Sequence, residues 1–112
     1  VVRAKKGEFT KLIEDAKMLE KIGCFAIVLE KIPAALAEKV AKEVSIPIIG
    51  IGAGGGVDGQ VLVVHDMIGM THEFSPKFLR RYMNLYEDMT VAIGQYVTDV
   101  KSQDFPNASE QY

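Results

Sequence analysis

Three parts of this sequence present groups able to do chemistry. A carboxylate, Glu30, closes the apolar run Cys24-Phe25-Ala26-Ile27-Val28-Leu29. The glycine-rich stretch that follows Ile49 holds Gly50, Gly52 and Gly55 at G-x-G-x-x-G spacing, and His65-Asp66 forms a neighbouring pair in a β-branched segment. A carboxylate at the carboxyl end of a parallel strand lies where α/β active sites are assembled, and there it can accept a proton from a bound substrate. The simpler alternative for Glu30 is pairing with Lys31 or with water. The glycines could cradle a pyrophosphate, as in a Rossmann-type dinucleotide-binding half-domain, but only if a helix began inside the glycine run. Here Gly56-Val57-Asp58-Gly59 intervenes before a β-branched segment, which favours a tight turn where backbone must pass closely. His65-Asp66 could be an acid/base or metal pair, but adjacent residues on a strand point to opposite faces, which favours structural hydrogen bonding. His72 reads as a surface loop residue, Cys24, Met67 and Met70 as core, and Arg80-Arg81 as a solvated helix face.

The elements that would position these groups follow from periodicity. Phe9, Leu12, Ile13, Ala16, Leu19 and Ile22 recur at spacings of three and four, one apolar helical stripe that Gly23 terminates. The run Cys24–Leu29 then reads as a buried strand ending at Glu30. Pro33 opens a second helix with Leu36, Ala37, Val40, Ala41 and Val44 at helical spacing, and Ile46–Ile51 is the next strand. Strands apolar on both faces that alternate with amphipathic helices predict a parallel sheet, so the fold class is α/β. The β-branched density of Val61–Gly69 favours a third strand, with a buried helix capped by Asp58 and stopped by Gly69 as the alternative. Pro76 then predicts a helix through Met83, and Asp88 can cap a further one bearing Met89, Ala92, Ile93, Tyr96, Val97 and Val100 on one side. No linker divides residues 1–112, which are expected to form a single partial domain. A sheet of two or three strands has open edges that something else must cover.

Composition removes several functional classes. The chain of 112 residues has 13 Lys and Arg against 15 Asp and Glu, a net charge of −2, which supplies no cationic excess for phosphate and argues against nucleic acid as a partner. Its 48% hydrophobic and 25% charged residues match an ordinary globular chain. A single cysteine builds neither a disulfide framework nor a thiolate zinc site, and fits a cytoplasmic location. No apolar run approaches the roughly 18 residues of a membrane span, so no membrane association is expected. Residues 1–7 have no Met, no apolar h-region and no cleavage site, and read as a cut chain end rather than a signal peptide.

Three longer strings add a resemblance. Ile27-Val28-Leu29-Glu30-Lys31-Ile32-Pro33, Ile46-Pro47-Ile48-Ile49-Gly50-Ile51-Gly52-Ala53-Gly54 and Asp58–Gly69 closely resemble the ketopantoate hydroxymethyltransferase family. The likeness extends through Pro76-Lys77-Phe78 and Gln95-Tyr96 to Phe105-Pro106, and so covers essentially the whole chain. It departs from the family at Lys31, where a small residue is common, at Gly55-Gly56-Val57 and in the tail. The resemblance implies the carboxyl-terminal part of a (β/α)8 TIM barrel of the phosphoenolpyruvate/pyruvate superfamily, here its last three strands and the carboxyl-terminal helices. A full barrel takes about 250 residues, so the earlier strands would lie outside this sequence.

Transfer of a hydroxymethyl group from 5,10-methylenetetrahydrofolate to 3-methyl-2-oxobutanoate, with Mg²⁺ chelating the keto acid, is what the resemblance implies as activity. Glu30 matches the family's proton acceptor. The family's acidic metal ligands and its substrate-binding Lys and Ser match no position here, so no metal ligand is expected in this segment. A homo-oligomer is also implied, typically a decamer. Phe78, Tyr82, Tyr86, Met89, Ile93, Tyr96 and Val100 agree with that, since they carry more apolar surface than a small sheet can cover. The competing reading from a different class is a non-catalytic, self-associating α/β fragment.

Overall fold

The computed structural model of the protein describes residues 6–112; of residues 1–7, on which a cut amino end is expected, the first five lie outside them. Helix α1 spans Lys6–Lys21 and β1 Ile27–Glu30; Ala34–Glu43 forms α2, and β2 is Ile48–Ile51. A short β3, Gly59–Gln60, follows, then a single helical turn α3, Val64–Met67, and α4, Leu85–Ser102. A 3-10 turn at Ala108–Glu110 closes the chain, with Asn107 and Glu110 capping each other reciprocally. The chain is α/β, with a parallel sheet of order β1-β2-β3.

Contacts divide the chain into two compact units. One holds residues up to Leu62 together with Pro76–Leu79, the other Val63–Ser75 with Arg80–Tyr112. In the first, β1 and β2 pair in register from Ile27 with Ile48 to Glu30 with Ile51. The ladder is bracketed by Ile27 N–H donating to the Pro47 carbonyl and Lys31 N–H to the Ile51 carbonyl, both at 2.9 Å. Ala16, Ile27, Leu29, Leu36, Ala37, Val40, Ile48 and Ala53 form the buried core, so the helices cover one face of the sheet. Burying these side chains drives the unit together, at about 1.5–3 kcal/mol for each large aliphatic one.

Only one face is covered. Along β1 burial alternates: Ile27 and Leu29 are buried, whereas Val28 is 60% exposed. The expectation of a strand buried on both faces from Cys24 onward is therefore corrected. The strand begins at Ile27, Phe25 is 89% exposed, and the helices shield a single side. The apolar run records two buried faces, but this stretch of chain supplies a cover for one.

Val61–Gly69 does not form the third strand. That strand is Gly59–Gln60, reached from β2 without a crossover helix, and Val64–Met67 is helical, stopped by Gly69 at φ 72°. Valines favour a pleated surface only where a neighbouring strand can pair with them. Asp58 is not the helix cap either; its carboxylate accepts the Ile48 N–H at 2.8 Å, tying the glycine loop to the start of β2. Pro76 opens a turn closed by Leu79 N–H on its carbonyl rather than a helix through Met83, and α4 begins at Leu85, ahead of the expected cap Asp88. No residue of α4 is buried.

A side chain also fixes the turn between α2 and β2. Glu20, near the end of α1, accepts the Ser45 hydroxyl and, at 2.7 Å, the Ser45 N–H, and these bonds hold its carboxyl below the ordinary value of 4.5. A group depressed in the folded state stabilises it above the unfolded value and loses that contribution as pH falls through the folded one. Glu20→Gln should therefore lower the melting temperature at about pH 7, with the gap to the parent closing as pH falls well below 4.5. Thermal melts of both proteins across that range check it; a gap that persists in acid contradicts the assignment.

Candidate active site

Glu30 is the last residue of β1. Because strand side chains alternate, it shares a face with Val28 and, through the register, with Ile49 and Ile51, opposite the helix-packed face of Ile27 and Leu29. Its side chain is 60% exposed, and Oε1 lies 3.9 Å from Lys31 Nζ. The carboxylate thus stands at the carboxyl end of a parallel strand, on the face opposite the one that α1 and α2 pack against.

The surroundings come from the ends of the neighbouring strands. Gly52 follows β2 at φ 65°, and a Cβ there would lie 2.7 Å from Phe78 Cδ1, so the Phe78 ring closes onto bare backbone. Lys31 has φ 54°, and its ammonium sits 5.9 Å from the centroid of the same ring. Gln60, from β3, donates from Nε2 to the Gly54 carbonyl at 2.8 Å and holds the glycine loop back against the sheet. Glu30, Lys31, Gly52 and Phe78 therefore meet at one end of this unit.

The other candidates separate from this group. The glycine loop runs into β3, not into a helix, so no helix N-terminus of its own faces the loop and the dinucleotide reading fails. His65 and Asp66 lie on α3 rather than on a strand; Asp66 is buried and His65 exposed. His72 is exposed and stacks on Tyr86 with centroids 4.5 Å apart. Cys24 is half-buried and a free thiol. Among the described residues no group of three or more His, Cys, Asp or Glu is placed to hold a metal ion. The carboxylate at the strand end has an ammonium as its neighbour, a poor setting for a hard cation, so the residues present do not fit Mg²⁺.

Arg81 and Phe78 were not legible as organisers. Arg81 is exposed, as expected, but not helical: its guanidinium donates to the carbonyls of Thr71, His72 and Phe74 at 2.7–3.1 Å and shapes the loop before it. Gly69, His72, Arg81, Tyr82, Met83, Asn84 and Glu87 border a cleft of about 470 Å³ in the second unit. One guanidinium nitrogen, Nη2, makes all three of these backbone bonds, and Nη1 lies 3.4 Å from the Ser75 hydroxyl. The adjacent charges at Arg80 and Arg81 carried no sign of this, because carbonyl acceptors are invisible in sequence. The signal for Phe78 was the Pro76-Lys77-Phe78 string.

Residues 1–108 match the family model described as ketopantoate hydroxymethyltransferase. Over 112 residues, 99% of the chain, it is 76% identical to a 3-methyl-2-oxobutanoate hydroxymethyltransferase of Flavobacterium johnsoniae. Over the same share it is 68% identical to the protein so named in Parabacteroides distasonis and 65% to that in Porphyromonas gingivalis. The match covers 41% of each relative, so the chain spans about two fifths of their length.

Proposed function

Because the chain belongs to the ketopantoate hydroxymethyltransferase family, we propose that it forms part of an enzyme transferring a hydroxymethyl group to 3-methyl-2-oxobutanoate, with Glu30 as the proton acceptor. The observation that carries the role of Glu30 is its place at the carboxyl end of β1 on the face away from the helices, the position of active sites in parallel α/β barrels. Glu30 would take the proton from C3 of the keto acid, and the enolate carbon would bond to the methylene carbon of 5,10-methylenetetrahydrofolate; as the carbon–nitrogen bonds to the folate break, water would supply the hydroxyl oxygen, tetrahydrofolate would leave and 2-dehydropantoate would form. In this reading residues 1–112 are the last three strands and terminal helices of one (β/α)8 barrel of the phosphoenolpyruvate/pyruvate superfamily. The second face of the β1–β2 ladder is then the barrel interior, which accounts for the exposed Val28. Mg²⁺ would take its ligands from parts of the full-length protein beyond this sequence. No described helix is long and apolar enough to cross a membrane, and a cytoplasmic enzyme is the setting we propose. The apolar residues exposed along α4, Met89, Ile93, Tyr96 and Val100 among them, support a homo-oligomer, which sedimentation of the full-length protein tests.

The reading is tested by exchange. Full-length enzyme should replace the C3 hydrogen of 3-methyl-2-oxobutanoate with deuterium from solvent, followed by NMR, and should form 2-dehydropantoate when 5,10-methylenetetrahydrofolate is added. Absence of both reactions would overturn it. The 112-residue chain alone should do neither and should show no saturable binding of Mg²⁺ with the keto acid by calorimetry, since one carboxylate beside an ammonium is no octahedral oxygen site. Micromolar binding by the isolated chain would show that other residues build the site.

A further inference from the structure

We infer that Lys31, held in place by Phe78, is a positioning residue for Glu30, an inference that rests on the proposed role of Glu30. The first observation is conformational. Lys31 has φ 54°, a backbone region that glycine enters freely and an L side chain does not, in the turn between β1 and α2. The backbone is fixed there by the Lys31 N–H donating to the Ile51 carbonyl at 2.9 Å, so this conformation belongs to the sheet terminus and not to a loose loop. A residue with a long cationic side chain at such a position needs interactions that offset the backbone strain.

Two interactions converge on its ammonium. Nζ is 3.9 Å from Glu30 Oε1 and 5.9 Å from the Phe78 ring centroid, inside the range in which an aromatic face attracts a cation. The ring is fixed in turn, since it packs where a Cβ of residue 52 would stand and so depends on Gly52 lacking one. Phe78 thus rests on the backbone after β2, holds Lys31 over the strand end, and Lys31 faces the carboxylate. A lysine without the ring would be one of many flexible surface cations, and an ion pair between exposed groups would define little geometry. With the ring, the charge has a fixed side from which to orient Glu30.

The test uses the full-length enzyme and separates charge from packing. Lys31→Met keeps the stem over Phe78 and removes the ammonium; it should lower kcat about 10-fold with KM for 3-methyl-2-oxobutanoate within about 2-fold, the pattern of a misplaced base rather than of lost substrate binding. Lys31→Arg should restore kcat to within about 3-fold of the parent, since a guanidinium can occupy the same aromatic face. Phe78→Leu should lower kcat in the parent and have little further effect in the Lys31→Met background, because the ring acts through the ammonium. Unchanged kcat in Lys31→Met, equal impairment in Lys31→Arg, or additive effects of Lys31→Met and Phe78→Leu would each overturn the inference. Glu30→Gln measured alongside keeps the two readings apart: full turnover there removes the base itself, whereas loss there with an unimpaired Lys31→Met removes only the positioning role.

Discussion

Glu30→Gln in the full-length enzyme is expected to lower hydroxymethyl transfer by about 10² to 10⁴-fold, the usual scale for loss of a general base, while binding of 3-methyl-2-oxobutanoate survives. The substitution keeps the shape of the side chain and removes its capacity to accept a proton. Because the side chain sits outside the buried core and is 60% exposed, no packing is lost with it, and the melting temperature should hardly change. Deuterium exchange at C3 should fall in parallel with transfer, since both need the same proton removed. A drop in transfer with normal exchange would place Glu30 at a later step, and near-normal turnover would end its assignment. Comparison of the two rates in one preparation decides among these outcomes.

How much of this arrangement was readable beforehand depended on how local its causes are. The spacing from Phe9 to Ile22 and from Leu36 to Val44 gave α1 and α2, because a helical stripe and its Gly or Pro punctuation are written within a few turns. Glu30 at the end of β1 was legible for the same reason: a carboxylate interrupts an apolar run. The composition of residues 61–69 misleads because strand formation needs a partner; β3 pairs at Gly59 and Gln60, and among the described residues no further strand is there for the valines to join. The start of α4 was placed late because Asp88 matched a cap residue, whereas the helix begins at Leu85, with Asn84 at the cap position making no side-chain cap bond. The left-handed turn at Lys31 and its meeting with Phe78 had no signature at all. Residues 31 and 78 are brought together by the chain's return to the first unit, which no periodicity encodes.

The same chemical change at two glycines should have opposite effects on stability. Gly69 ends α3 at φ 72°, and a Cβ there would run into the carbonyl oxygen of Met83, a backbone atom that cannot rotate aside. Around that contact the chain is laced by Tyr82 N–H to the Met67 carbonyl at 2.8 Å, Leu85 N–H to Ile68 and Tyr86 N–H to Gly69, each at 3.0 Å. Gly69→Ala must separate these strands of backbone and strain φ as well, so a loss of about 2–4 kcal/mol is expected, combining a left-handed conformation with weakened hydrogen bonds. Gly94 lies inside α4, and a Cβ there meets nothing within 4 Å. Alanine reduces the entropy that glycine loses in a helix, so Gly94→Ala should stabilise by about 0.5–1 kcal/mol. Urea unfolding of the full-length protein, monitored in each variant against the parent, measures both. Equal stability of Gly69→Ala and the parent would mean that the α3 stop is not the close contact described. A loss at Gly94 would instead show that another surface packs against α4 at that point.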